Sequence, residues 1–351
     1  MKKFICMLLI LTAIIIVSIG CAKTENPPQS GKESQIPDIT DNINFNPSAE
    51  SDEPDEINED LKSIVYFTSD ISPEGLIKAY QSLGVDPTGK IAVKITTGEP
   101  PSSNYLRPEL IKDLVHSLNG TLVECNTAYG GKRGKNEVHL QVAKDHGFLD
   151  IAEFDLMDSD DEISIPVVGG EILQENFVGS HFTDYDYFVV LSHFRGHEMS
   201  GFGGAIKNIS IGIASRSGKI WIHTGGTKMK GGVSDLVSAN RDNFLKSMAE
   251  AGKSVADSLN GNILYINVMN RLSVDCDCEG HPAEPDMHDI GILASFDPVA
   301  LDQACVDLVA AASDGKTLMN RIKACNGLLT LKHAEKIGLG RSEYKLVNID
   351  E

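Results

Sequence analysis

The stretch HEMSGFGGAIK, His197 to Lys207, packs a histidine, three glycines and a lysine into eleven residues, and His223 follows sixteen positions after the lysine. Imidazole is both a borderline nitrogen ligand for transition metals and a base that titrates near neutrality. A lysine amine supplies either a positive charge or a nucleophile. Gly201, Gly203 and Gly204 remove side chains where the backbone must approach a bulky or charged group, and amides bared in this way bind anions. His197, Lys207 and His223 therefore read as one shared ligand or catalytic site. The glycine pattern is not a dinucleotide fingerprint, because the third glycine spacing and the later acidic residue are missing, and it is not a Walker loop, because GK[ST] is absent.

Two further segments carry chemistry. LVECNTAYGGKR ends a strand at Cys125 and runs into a second glycine-rich turn with Tyr129, Lys132 and Arg133, so Lys132 and Arg133 join the candidate anion or cofactor contacts. DCDCEGHPAEPDMHD gathers Cys276, Cys278, His281, Asp286, His288 and Asp289. Thiolates with imidazoles suit zinc, copper or iron, which makes Cys276 and Cys278 candidate metal ligands; the alternatives are buried thiols or a disulfide to Cys305 or Cys125. Cys276 and Cys278 are too close in sequence to read as a favourable pair with each other. Cys325, in a helical NRIKACNG, reads as core.

The elements that must position these groups alternate. KIAVKIT, TLVECN, YFVVLSHF, NILYINVMN and DIGILAS are apolar runs bounded by turn residues and read as buried strands. RPELIKDLVHSL, NEVHLQVAKDHG and the long SDLVSANRDNFLKSMAEAGKSVADSL have helical periodicity, and DPVALDQACVDLVAAA starts with Asp297 as N-cap and Pro298 at the first helical position. The fold class is α/β, a mostly parallel sheet covered by helices, with two lobes around a cleft as one arrangement. Ligands of such sheets sit beyond the carboxyl ends of the strands. YFVVLSHF delivers the chain to that edge, and RGHEMSGFGGAIK comes next as a loop, so His193, His197 and Lys207 can reach one crevice.

The spacing H-x3-G-x-G-G-x2-K-x15-H closely resembles the nickel-dependent lactate racemase family. The resemblance implies that Lys207 carries a nickel pincer nucleotide covalently, that His223 ligates nickel and that His197 moves protons. It also matches Arg107 in YLRPEL to a substrate-carboxylate arginine. Where that family has a second proton-transfer histidine, this chain has NTAYGG and offers Tyr129. More broadly, NTAYGGKR, LSHFRGHEMSGFGGAIKNISIGIASRSGKIWIH and DCDC followed by DIGILASFDPVALDQA resemble domain-of-unknown-function family 362, over most of residues 60 to 340. That family includes proteins called iron-sulfur center proteins. The ferredoxin-like cysteine insert of many members is absent after His223.

Lys2 and Lys3 precede an apolar run that ends at Ser18-Ile19-Gly20-Cys21, which resembles a bacterial lipoprotein signal: residues 1–20 are removed and Cys21 is lipidated. Ala22 to Asp60 holds eleven Asp/Glu, two Lys and five Pro, too little apolar surface to order, and reads as an acidic tether with no EF-hand spacing. The α/β domain then runs over 61–345. A net charge of −19 without a basic stripe excludes nucleic acid as partner. The sequence thus points to a lipid-anchored, extracytoplasmic protein of the cell membrane. It would bind a transition metal or metal cofactor, of iron-sulfur or nickel type, and act by redox or hydride and proton transfer on a small anionic substrate. The alternative is a non-enzymatic surface protein that captures an anionic ligand.

Overall fold

The structure, a computed structural model, describes residues 62–350. The signal, Cys21 and the acidic tether lie outside the described residues. Strand and helix alternate from the start: β1 (Ser63–Thr68), α1 (Pro73–Gln81), β2 (Ile91–Lys94), α2 (Pro108–Ser117), β3 (Thr121–Glu124), α3 (Asn136–Asp145) and β4 (Phe154–Leu156). A ribbon of β5 (Glu162–Pro166) and β6 (Glu175–Gly179) precedes β7 (Tyr187–His193). A second ribbon, β8 (Arg195–His197) with β9 (Gly201–Gly203), leads into α4 (Ala205–Ser210), α5 (Arg216–His223), α6 (Val233–Ser238) and α7 (Arg241–Leu259). The chain closes with β10 (Ile263–Met269), β11 (Gly291–Ser295), α8 (Pro298–Ala311), α9 (Lys316–Ala324), α10 (Leu328–Lys336) and β12 (Tyr344–Asn348).

Eight strands form one sheet in the order β12-β1-β11-β10-β7-β2-β3-β4. Every pairing is parallel except those of β11, which runs against both β1 and β10. From β2 the chain builds outward through β3 and β4, then returns to the other flank of β2 with β7 and β10. This reversal makes the β2/β7 border the topological switch point, where the two connections leave in opposite directions and open a crevice.

The central strands are mainly apolar because both faces are covered, with Lys94, Ser192, His193 and Asn267 as buried polar exceptions. Phe188 and Val190 of β7 pack with α4, α7 and α8 residues such as Ile206, Ala249 and Ala304, whereas Tyr187, Val189 and Leu191 face Leu76 of α1 and Leu114 of α2. The alternation is the two-residue pleat. Asp297 caps α8 as its sequence suggests, accepting from Val299 N at 2.8 Å and Ala300 N at 3.1 Å.

Two local readings are corrected. The long helix expected over 234–259 is broken: α6 ends at Ser238, and Asn240 starts α7 by accepting from Asn243 N at 2.9 Å. An Asn side chain competing for a backbone amide supplied the break. The loop expected after β7 is a hairpin, with Arg195 opposite Gly203 and His197 opposite Gly201, followed directly by α4. Among the described residues no helix is long and apolar enough to cross a membrane.

Candidate active site at the carboxyl edge of the sheet

A cavity of about 580 Å³ opens beyond the carboxyl ends of β2, β3 and β7, lined by Glu124, Tyr129, Arg133, His193, His197, Gly203, Gly204, Lys207, Lys219, His223, Cys276 and Cys278 among others. Three elements and the segment after β10 deliver the histidines, amines and cysteines. His197 ends β8, Lys207 lies in α4, Lys219 and His223 stand one turn apart on α5, and the cysteines come after β10.

The two histidines are held in opposite tautomers. His197 Nδ1 accepts from the amides of Met199 and Ser200, each at 3.1 Å, so the neutral ring carries its hydrogen on Nε2. Burial, with Lys207, His223 and Arg195 nearby, holds its pKa well below the ordinary imidazole value. His223 Nδ1 lies 2.7 Å from the carbonyl oxygen of Lys219. A carbonyl can only accept, so this ring carries its hydrogen on Nδ1 and keeps the Nε2 lone pair for the cavity it lines. Phe244 stacks on that ring at 4.4 Å, and burial lowers its pKa to about 4, with Lys207 and Lys219 adding to the effect.

Among the described residues no side chain or carbonyl accepts from Lys207 Nζ. Burial, then the Arg195, Arg133 and Lys219 charges, bring its pKa down to about 7 against the pull of Asp277. Lys219 Nζ has a single carbonyl partner, Ala214 at 2.6 Å. The cavity therefore offers buried amines and an imidazole N–H with no carboxylate spent on them, an environment that an anion would relieve.

Arg133 is differently placed. Its guanidinium is buried between Glu99 at 3.3 Å and Glu124 at 2.9 Å and donates to Tyr129 Oη at 2.6 Å. Burial would raise the Glu124 carboxyl, yet His139, Arg133 and Lys94 together hold it well below the usual carboxylate range. Burial pushes the Tyr129 phenol up to about 12, so it lines the cavity as a hydrogen-bonding group rather than a base. His193 likewise lines the cavity, fixed by Asp277 Oδ1 at 3.0 Å and Asn270 O at 2.6 Å.

The glycines divide by role. Gly203 borders the cavity, where a Cβ would stand 3.2 Å from Lys207 Cδ. At Gly204 a Cβ would meet Asp302 Oδ1 at 2.2 Å, because that carboxylate sits under the loop and accepts from Ala205 N at 2.7 Å and Ile206 N at 3.0 Å. Gly201, with φ +82°, packs against the backbone of Ile322 and Gly327 and does not line the cavity. Two of the three glycines thus answer to the protein's own packing.

Cys276 and Cys278 are joined in a disulfide, contrary to the spacing argument, since their Cα atoms lie 5.3 Å apart. Their sulfurs and a His197 ring nitrogen fall within 4.8 Å of one another, close enough for the three residues to hold a metal ion. Bonded to each other, however, the sulfurs are not thiolate donors, and the metal reading of this pair applies to its reduced form.

The family profile described as Domain of unknown function (DUF362) matches residues 91–307, from β2 into α8, and so covers every element that lines the cavity. The chain belongs to this family. No curated protein matches it. Among solved structures, this DUF362 protein is similar to the lactate racemase apoprotein from Thermoanaerobacterium thermosaccharolyticum, at 15% identity and a TM-score of 0.44, covering 75% of this chain and 60% of that one. It is also similar to a structural-genomics protein from Thermotoga maritima, at 12% identity and a TM-score of 0.38, covering 77% of this chain. This chain spans 60% of the length of each.

Of the residues singled out from sequence, His197, Lys207, His223, Gly203, Gly204, Tyr129, Arg133, Cys276 and Cys278 come together at the DUF362 cavity. Others do not. Arg107 precedes α2 and lays its guanidinium over the Tyr105 ring at 4.7 Å. Lys132 is exposed and contributes its backbone amide to Glu99. Gly201, Asp286, His288 and Asp289 also lie outside the lining, His288 paired with Asp314 and Asp289 accepting from the Arg271 amide. Sequence reasoning missed Glu124, Lys219, Arg195, Asp277 and Asp302. The signals available were a carboxylate ending the otherwise apolar TLVE, a charged aspartate between the cysteines, and a lysine four residues before His223 on one helix face.

Proposed function

We propose that the cavity binds a transition metal, alone or in an anionic cofactor, with His223 Nε2 as ligand and Lys207 and Lys219 holding the anionic part. The observation that supports this reading is the 2.7 Å bond from His223 Nδ1 to Lys219 O, which leaves the lone pair of the other ring nitrogen available for coordination. The lone pair of His197 is spent on two amides, so His197 serves as a neutral N–H donor to a small anionic substrate, hydrogen-bonding the oxygen that gains charge during proton or hydride transfer. A bound metal would supply Lewis acidity or an electron sink. Lys207, a free amine near neutrality, fits either covalent attachment of a cofactor or charge pairing with it.

The metal would be of nickel or iron type. Membrane attachment through Cys21 and an extracytoplasmic location are part of the same proposal, supported by the signal-like N-terminus and by a disulfide, which persists in oxidising compartments. Cobalt(II) added to the purified protein should give d–d absorption that His223→Ala abolishes. An unchanged spectrum in the variant contradicts ligation by His223. Anion binding with no cobalt signal in either protein favours the plain capture of an anionic ligand, for which the unpaired Lys207 speaks.

A further inference from the structure

The Cys276–Cys278 bridge is left without a task by the metal reading. It spans a sequence separation of 2. A loop that small restricts the unfolded chain little compared with a long one, so stapling the fold is a weak use for it. Its position is more informative. Both cysteines line the cavity, Cys276 buried at 5% exposure and Cys278 half-buried, and the Cys278 amide donates to Cys276 Sγ at 3.3 Å. A His197 ring nitrogen lies within 4.8 Å of both sulfurs. The other described cysteines, Cys125, Cys305 and Cys325, are free and buried.

We propose that Cys276 and Cys278 form a reversible two-electron thiol–disulfide centre that exchanges with a small dithiol, or with its disulfide, admitted to the cavity. One thiolate of the dithiol attacks the more accessible sulfur, Cys278 Sγ. The Cys276–Cys278 bond breaks, and its electron pair leaves on Cys276 Sγ, where the Cys278 amide already points and the His197 ring lies alongside. Cys276 takes up a proton. The second thiol of the dithiol then attacks its own sulfur in the mixed disulfide and releases Cys278, which takes up the second proton. One S–S bond is consumed and one formed, the protein is reduced by two electrons and the dithiol is oxidised by two. This assignment does not depend on a metal, and it fails or stands separately from ligation by His223.

The test uses the folded full-length chain with dithiothreitol as the dithiol. After brief treatment, N-ethylmaleimide should add to Cys276 and Cys278 together and spare Cys125, Cys305 and Cys325. Oxidised dithiothreitol, given to the reduced protein before N-ethylmaleimide, should re-form the bridge and protect both cysteines from alkylation. Alkylation of the pair before reduction, or resistance of the pair until the protein is unfolded, overturns the proposal. A second arm separates the two sulfurs. With glutathione disulfide, Cys276→Ser should form a mixed disulfide at Cys278 at least about tenfold faster than Cys278→Ser does at Cys276, since access governs such exchange. Equal rates, or a faster Cys276, overturn the assignment of Cys278 as the attacked sulfur. If either variant misfolds, the labelling of the unsubstituted protein still decides whether the centre is reversible.

Discussion

His223 Nδ1 stands 2.7 Å from the carbonyl oxygen of Lys219, one helical turn earlier on α5, and this contact fixes which nitrogen of the ring faces the cavity. The ring is neutral when folded because burial lowers its pKa from 6.5 to about 4. The unfolded chain therefore binds one more proton than the folded one between those values, and stability contributed by His223 is full above pH 6.5 and lost as pH falls toward 4. At 1.36 kcal/mol per pKa unit the loss is roughly 3 kcal/mol. Denaturant melts of the apoprotein from pH 7 to 4, repeated with His223→Leu, should show one fewer proton taken up on unfolding in the variant. Identical proton uptake would place the ring in solvent.

Lys207 opposes folding in the same sense. With its pKa brought from 10.5 to about 7, chiefly by burial, the amine costs stability at neutral pH that is recovered as pH rises toward 10.5. Lys207→Met keeps the aliphatic stem and should stabilise the apoprotein at pH 7 by about 2–4 kcal/mol, on the scale of 1.36 kcal/mol per unit. The same variant should lose affinity for small carboxylates in calorimetry. A destabilised variant with intact anion binding would remove Lys207 from the site.

Gly204→Ala should destabilise by about 1–3 kcal/mol, the usual cost of forcing atoms into a filled space. The new methyl would displace the Asp302 carboxylate from the Ala205 and Ile206 amides. Chemical denaturation of Gly204→Ala, Asp302→Ala and the double variant should reveal coupling of at least about 0.5 kcal/mol. Additive effects would mean the glycine serves something other than Asp302.

Arg107→Ala and Lys132→Ala should leave anion affinity within about twofold, as surface changes away from a site do. Neither side chain lines the cavity. A tenfold loss in either would show that the bound form recruits a residue that stands outside it here.

The sequence made the sheet legible because its five recognised strands are covered on both faces and so are mainly apolar, with polar residues chiefly at their ends. The meeting of His197, Lys207 and His223 was legible for a related reason: a strand that ends in His193 must deliver the next residues to the carboxyl edge. Other features depend on partners distant in the chain. Gly204 announces an open backbone, but Asp302, 97 residues from the Ala205 amide it binds, decides what fills the space. Arg133 looked like a free cation until Glu99 and Glu124 closed on it. The Cys276–Cys278 pair defeated a spacing rule because the turn through Asp277, held by His193 and Arg195, brings the two residues face to face.

The most direct measurement is elemental analysis of the protein isolated from the cells that make it, beside its His223→Ala variant. Near-stoichiometric transition metal in the first and its loss from the second is the expected result. A metal-free protein, or a His223→Ala variant that retains its metal in full, would contradict coordination through His223.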